Sequence, residues 1–113
     1  MKRLILGLAV LLLAANIAQA AGLDKILGVI KVADEPVLLV ICEDGCRWCK
    51  KQEKVLAKPD FSSCLYIQSK DKAVVKHFHV DGFPTLILFN RGKEVRRHEG
   101  FLNAVQLKKF LRQ

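Results

Sequence analysis

No repeat, low-complexity tract or Pro/Gly/Ser-rich linker divides this 113-residue sequence, which contains seven glycines and three prolines. Without such a divider the chain holds one small domain and has no room for a second. Aromatic residues are scarce, at 7% with one Trp and one Tyr, so the 19 Lys and Arg residues are not interleaved with stacking platforms. A formal net charge of +8 would by itself suit nucleic acid or an anionic membrane, but the basic residues are spread along the whole chain, and nucleic acid is not an expected partner. A second Cys-x-x-Cys pair is also missing, which removes the usual ligand spacing of structural zinc. A hydrophobic content of 51% excludes disorder.

Charge of either sign is absent from Leu4 to Ala15. Lys2 and Arg3 precede that run, and a polar break and the small-x-small triplet Ala18-Gln19-Ala20 follow it, which is the layout of a secretory signal. Cleavage is expected after Ala20, leaving residues 21–113 as one domain. The run is shorter than the roughly 20 apolar residues that cross a bilayer. No cysteine stands close behind it to take a lipid, the first being Cys42. The product is expected to be soluble, periplasmic and monomeric. Lys2 and Arg3 account for two of the eight net charges, so the domain itself carries +6. In an oxidising compartment its four cysteines are either paired or kept in use.

Apolar periodicity predicts the elements. Leu23, Ile26, Leu27 and Ile30 recur at helical spacing, and the helix ends near Asp34-Glu35-Pro36 because proline disfavours helical conformation in the residue before it. Val37 to Cys42 is an uninterrupted apolar, largely β-branched run, the pattern of a central strand buried on both faces, and it implies a parallel sheet. Glu43-Asp44-Gly45 turns the chain into a helix from Cys46 to about Lys58, with Cys49, Gln52 or Glu53, and Leu56 on one face and Lys50, Lys54 and Lys58 on another; Pro59 marks its end. Cys64 to Gln68 reads as a strand, Asp71 to Phe78 as a short helix and Thr85 to Phe89 as a third strand. Asn90-Arg91-Gly92 is a hairpin turn into Glu94 to His98, and Val105, Leu107, Phe110 and Leu111 outline a closing helix. The order αβαβαββα is an α/β fold, a βαβ half followed by a ββα half.

Chemistry concentrates at Cys46-Arg47-Trp48-Cys49, where a buried strand meets a helix. Unpaired N–H groups and the helix dipole favour a thiolate at a helix N-terminus, and Arg47 adds positive charge. Cys46 is therefore the expected attacking sulfur, with Arg47 tuning its acidity, and Cys49, one turn on and facing the core, is the expected resolving thiol. A purely structural disulfide across so small a loop would constrain the unfolded chain little. His77 and His79 flank Phe78 but point apart on a helix, which suits solvated side chains better than metal ligands. No metal site is assigned.

Gly82-Phe83-Pro84-Thr85 stands just before the third strand, with 34 residues between Cys49 and Pro84. With this element the sequence resembles the thioredoxin superfamily over nearly all of residues 21–113: a buried strand, the Cys46–Cys49 motif opening a helix, the Gly82–Thr85 loop, a hairpin, Gly100 and a final amphipathic helix. The resemblance implies a thioredoxin-like fold with a central mixed four-stranded sheet flanked by helices. It also implies that Pro84 has a cis peptide bond facing the active-site disulfide, and that Phe83 offers backbone hydrogen bonds to an extended substrate. Trp48 is expected beside the disulfide as part of the substrate-facing surface. Around Lys50 to Lys54 and Lys58-Pro59-Asp60 the sequence is similar to exported thioredoxin-like proteins and to the thioredoxin-like domain of membrane electron-transfer reductases. Two positions depart from the family pattern. Val40 replaces a buried acid that moves protons for the second cysteine, leaving Glu43, Asp44 or water as substitutes, and Cys42 replaces a tryptophan.

The implied function is thiol-disulfide exchange in the periplasm without metal or organic cofactor. The leading version is a reductase-type carrier taking electrons from a membrane thiol reductase to exported cysteine-containing proteins. The 34-residue spacing leaves no room for the inserted helical domain of dedicated periplasmic oxidases, and the short N-terminal segment leaves none for the dimerisation domain of the isomerases. A small oxidase or isomerase is the alternative within this chemistry; outside it stands a non-catalytic module binding a partner, or Cu(I) through Cys42, Cys46 and Cys49. Cys42 is either a third redox thiol beside the site or a small buried residue at a strand end; the second is the expectation, with Cys42 outside the catalytic couple and too far from Cys64 for a disulfide, because the two lie at opposite ends of neighbouring parallel strands.

Overall fold

The computed structural model of the chain describes residues 22–58, 61 and 64–112. The leader and its cleavage site, and Pro59, lie outside the described residues. Eight elements follow in order: α1 (Leu23–Val32), β1 (Val37–Ile41), α2 (Arg47–Leu56), β2 (Leu65–Ser69), α3 (Lys72–His77), β3 (Thr85–Asn90), β4 (Lys93–Glu99) and α4 (Ala104–Arg112). The strands form one four-stranded sheet in the order β2-β1-β3-β4.

β1 is central and buried along its whole length, as its apolar run requires. It pairs in parallel with β2 but antiparallel with β3, so the sheet is mixed, and burial on both faces did not by itself dictate parallel neighbours. Alternation along the strands then sorts the core into two layers. Val37, Leu39 and Ile41 join Ile67, Ile87 and Phe89 under Ile26 and Ile30 of α1 and Val74 of α3. Leu38, Val40 and Cys42 join Leu86 and Leu88 on the opposite face, under Cys49 of α2 and Leu107 and Phe110 of α4. Each fully buried aliphatic side chain contributes about 1.5–3 kcal/mol of transfer free energy, so β1, which feeds both layers, is the centre of the fold.

Local chemistry sets the element ends. α3 starts after Asp71, whose Oδ1 accepts the Ala73 N–H at 2.9 Å, so Asp71 caps the helix rather than belonging to it. β2 runs one residue later than the apolar run Cys64 to Gln68 suggests, because the parallel register pairs Val37 with Leu65 and leaves Cys64 outside the ladder. Arg91 and Gly92 connect β3 to β4 as a two-residue turn with φ of 53° and 83°. Positive φ at both positions is the type I′ geometry that matches strand twist, and glycine takes the second position without a Cβ clash. Glu94 and Arg97 pair on the exposed face of β4 at 2.7 Å. His77 and His79 are both exposed, as expected of solvated side chains.

Candidate active site

The carboxyl end of β1 leads through Glu43-Asp44-Gly45 into α2. Gly45 has φ +76°, a left-handed conformation that lets the chain turn sharply at the start of the helix. Cys46 follows as the N-cap of α2, in extended conformation, and its Sγ accepts the backbone N–H of Cys49 at 3.2 Å. A sulfur thus does what a Ser or Asp oxygen does at other helix starts, receiving one of the N–H groups that the first turn cannot satisfy internally. Negative charge on that sulfur would meet an aligned donor and the positive end of the helix dipole.

Cys46 is half-buried, whereas Cys49 is 3% exposed and packs into the core layer covered by α2 and α4. All four cysteines are unbonded in the structure. Burial pushes the Cys49 thiol well above its ordinary range, and its contacts with Cys42 and Cys46 push it the same way. Burial also raises Cys42 and Cys64 above the ordinary value of 9.0. A thiol whose folded-state pKa is raised keeps its proton in the native state at pH values where the unfolded chain has lost it. Stability from these thiols is therefore complete below their unfolded value and lost as pH rises through the folded ones. The urea midpoint of the reduced protein is expected to fall between about pH 8 and about pH 10, and to fall less in the oxidised protein, where Cys49 no longer titrates. Equal slopes in the two redox states would contradict this origin.

Around the two sulfurs, Phe83 is half-buried and packs against the same core layer as Cys46, while Pro84 is fully buried and the Phe83–Pro84 peptide is cis. The loop is held from within and from the residue after β4: Thr85 Oγ1 donates to the Gly82 carbonyl at 2.7 Å, and the Gly100 N–H donates to the Pro84 carbonyl at 2.7 Å. Trp48 is 49% exposed on the second residue of α2, with its ring 5.7 Å from that of Phe101 and the Lys51 ammonium 4.5 Å from its centroid. It rests on the neighbouring loop and still presents half of its surface. Arg47 is exposed at the first position of α2.

The substitutes expected for the missing acid at Val40 do not bring carboxylates to Cys49. The Asp44 side chain is 97% exposed and reaches Lys70 at 3.7 Å, and Glu43 is exposed and touches the Cys49 thiol only through its backbone. A different polar chain runs behind the site. Tyr66 donates its hydroxyl to Gln68 Oε1 at 3.1 Å, and Gln68 Nε2 donates to Glu53 Oε1 at 2.6 Å. Gln52 is completely buried, with Nε2 donating to the Leu102 carbonyl at 3.0 Å and Oε1 accepting the Leu102 N–H at 2.8 Å. The helical pattern indicated that Gln52 or Glu53 faces inward; it is Gln52, with Glu53 exposed beside it.

The remaining cysteines differ from each other. Cys64 sits just before β2, whose first N–H, that of Leu65, bonds the Pro36 carbonyl, and so lies at the opposite end of the sheet from Cys42, whose N–H bonds the Ser69 carbonyl beyond the other end of the ladder. Cys42 is fully buried, as expected, but on the α2 side of the sheet and against Cys49. It therefore adjoins the site. Among the described residues no group of three or more His, Cys, Asp or Glu side chains is disposed to hold a metal ion.

A four-stranded mixed sheet covered by helices on both faces, with a Cys-x-x-Cys at the first helix after the central strand and a cis-proline loop in the same layer, defines a thioredoxin-like protein. The family model described as a thioredoxin-like domain matches residues 23–113, and the chain belongs to that family. A relative of established name, the thiol:disulfide interchange protein DsbD of Klebsiella pneumoniae, is 33% identical over 112 residues, covering 86% of this chain and 18% of its own length. The DsbD of Pectobacterium atrosepticum is 28% identical over 113 residues, covering 87% of this chain and 20% of its own. The chain thus spans about one fifth of the length of these relatives. Among solved structures, Trxlp from Edwardsiella tarda superposes with a TM-score of 0.68 at 29% identity, covering 81% of this chain and 96% of its own. A thioredoxin mutant from Halobacterium salinarum gives 0.69 at 25% identity, with 79% and 81% covered.

Proposed function

We propose that the protein is an exported thiol-disulfide oxidoreductase that reduces disulfides of exported cysteine-containing proteins through Cys46 and Cys49. The observation that carries this reading is the arrangement of the two sulfurs: a half-buried Cys46 at the N-terminus of α2 receiving the Cys49 N–H, with Cys49 itself buried one turn behind. Cys46, as thiolate, attacks one sulfur of the substrate disulfide, and the other sulfur leaves as a thiolate that takes up a proton. Cys49 then gives up its proton and attacks Cys46 Sγ in the mixed disulfide, releasing the second substrate thiol. Two electrons pass to the substrate and the protein is left with a Cys46–Cys49 disulfide. A membrane thiol reductase restores the dithiol, a role supported by the likeness to DsbD.

Phe83 and Pro84 serve as the substrate-binding edge beside Cys46, Trp48 as an exposed apolar contact, and Arg47 as a positive charge next to the nucleophile. Residues 1–20 act as a leader cleaved after Ala20, which delivers a monomeric domain to the periplasm. Burial raises the proton affinity of Cys49, and it is as thiolate that it attacks in the second step.

Cys49→Ala removes that step while leaving the first intact. Mixed disulfides with exported proteins are expected to accumulate on Cys46 and to be recoverable from the periplasm under non-reducing conditions. If Cys46→Ala traps partners and Cys49→Ala does not, the roles of nucleophile and resolver are exchanged.

A further inference from the structure

The exchange chemistry above uses two thiols, yet a third is packed against them. Leu38, Val40 and Cys42 share one face of β1 by strand alternation, and α2 covers that same face with Cys49. From surface to core the sulfurs follow the order Cys46, half-buried, then Cys49, 3% exposed, then Cys42, 0% exposed. Cys49 has both others as side-chain partners. Cys49 is therefore the sulfur that both others adjoin, and exchange among the three passes through it.

We propose that Cys42 is a third redox-active thiol, which attacks Cys49 in the oxidised protein to give a buried Cys42–Cys49 disulfide and a free Cys46. This rests on the reading of Cys46 and Cys49 as an exchange couple. The step is an internal isomerisation: the Cys42–Cys49 bond forms, the Cys46–Cys49 bond breaks, and the proton lost by Cys42 is matched by one taken up at Cys46. No electrons enter or leave, so no further oxidant is needed beyond the substrate disulfide that oxidised the couple. Burial raises the Cys42 thiol above its ordinary value and its contact with Gln68 opposes that rise, so the attack follows loss of the Cys42 proton. The exchange moves the disulfide out of reach of partners and returns Cys46 to the surface without its resolver. In that form a newly captured partner stays bound until the isomerisation reverses.

The test uses the wild-type protein without its leader, oxidised with one equivalent of oxidised glutathione, quenched in acid, alkylated after denaturation and mapped with trypsin plus a Glu-specific protease. Cleavage at Glu43 separates Cys42 from Cys46, which trypsin alone leaves on one peptide. Molecules with one internal disulfide are expected to include more than about one in a hundred with Cys46 alkylated and Cys42 joined to Cys49, the population of a disulfide about 60 mV less favoured than its rival. Cys42→Ala should abolish that species and leave the Cys46–Cys49 species. Finding Cys46–Cys49 alone, with Cys42 fully alkylated, overturns the third thiol and leaves the exchange couple standing. Finding no internal disulfide overturns both.

Discussion

Cys46→Ser is expected to reduce catalysis of protein-disulfide reduction by dithiothreitol to the uncatalysed rate, a loss of roughly a thousand-fold or more, as is usual when the nucleophile of a covalent mechanism is removed. Serine keeps the N-cap, because its oxygen accepts the N–H that the Cys46 sulfur now receives from Cys49, so the helix start and the fold should survive. What is lost is the only half-buried sulfur of the pair, the one an incoming disulfide can meet. Cys49 cannot replace it, since it is buried and its proton is held tightly by that burial. Following insulin reduction by turbidity, with thermal unfolding as the control for folding, makes the comparison direct. A wild-type rate no greater than that of Cys46→Ser would remove the catalytic reading and leave a binding module of thioredoxin-like fold.

The parts of this site that are legible in the sequence are the local ones. An apolar run long enough for one strand, a turn, and two cysteines three residues apart define a strand-to-helix junction wherever they occur, and Gly82-Phe83-Pro84-Thr85 before a second apolar run adds the loop. Element ends were legible to within a residue or two, and the departures have physical causes. Asp71 became a cap, and the Val37–Leu65 pairing moved β2 past Cys64. Parallel against antiparallel neighbours for β1 was not legible, because a strand buried on both faces has the same composition in either setting.

Cys42 was half legible. Its burial follows from the run it ends, and its position on the same face as Leu38 and Val40 follows from alternation. Which helix covers that face depends on the order β2-β1-β3-β4 and on the crossover through α2, so its neighbour Cys49 could not be read from spacing. The same holds for Glu53 and Gln68, which meet across 15 residues of sequence. Pairings of this kind are properties of the assembled layers, and these layers decide which extra groups surround a motif whose own residues are adjacent.

Gln52 shows the point at its most costly, and Gln52→Leu is expected to destabilise the protein by about 2–5 kcal/mol, a large share of the roughly 5–15 kcal/mol that holds a small domain together. The side chain is fully buried and its amide forms both of its bonds with one residue, Leu102, 50 positions away. Leu102 lies between β4 and α4, outside any strand, so its backbone N–H and C=O have no ladder partner there and the glutamine amide acts as a substitute strand neighbour. Leucine retains most of the volume, which separates the effect from that of a cavity, and leaves two buried backbone groups unpaired at about 1–3 kcal/mol each. Lys54→Gln, on the exposed face of the same helix, should change stability by less than about 0.5 kcal/mol and serves as the comparison. The loop that Gln52 anchors also contains Phe101, on which Trp48 rests, so the fluorescence of this single tryptophan should shift in folded Gln52→Leu as its ring loses that support. A urea midpoint within error of wild type, with unchanged Trp48 emission, would mean that Leu102 finds other partners and that the amide does not hold the edge of the site in place.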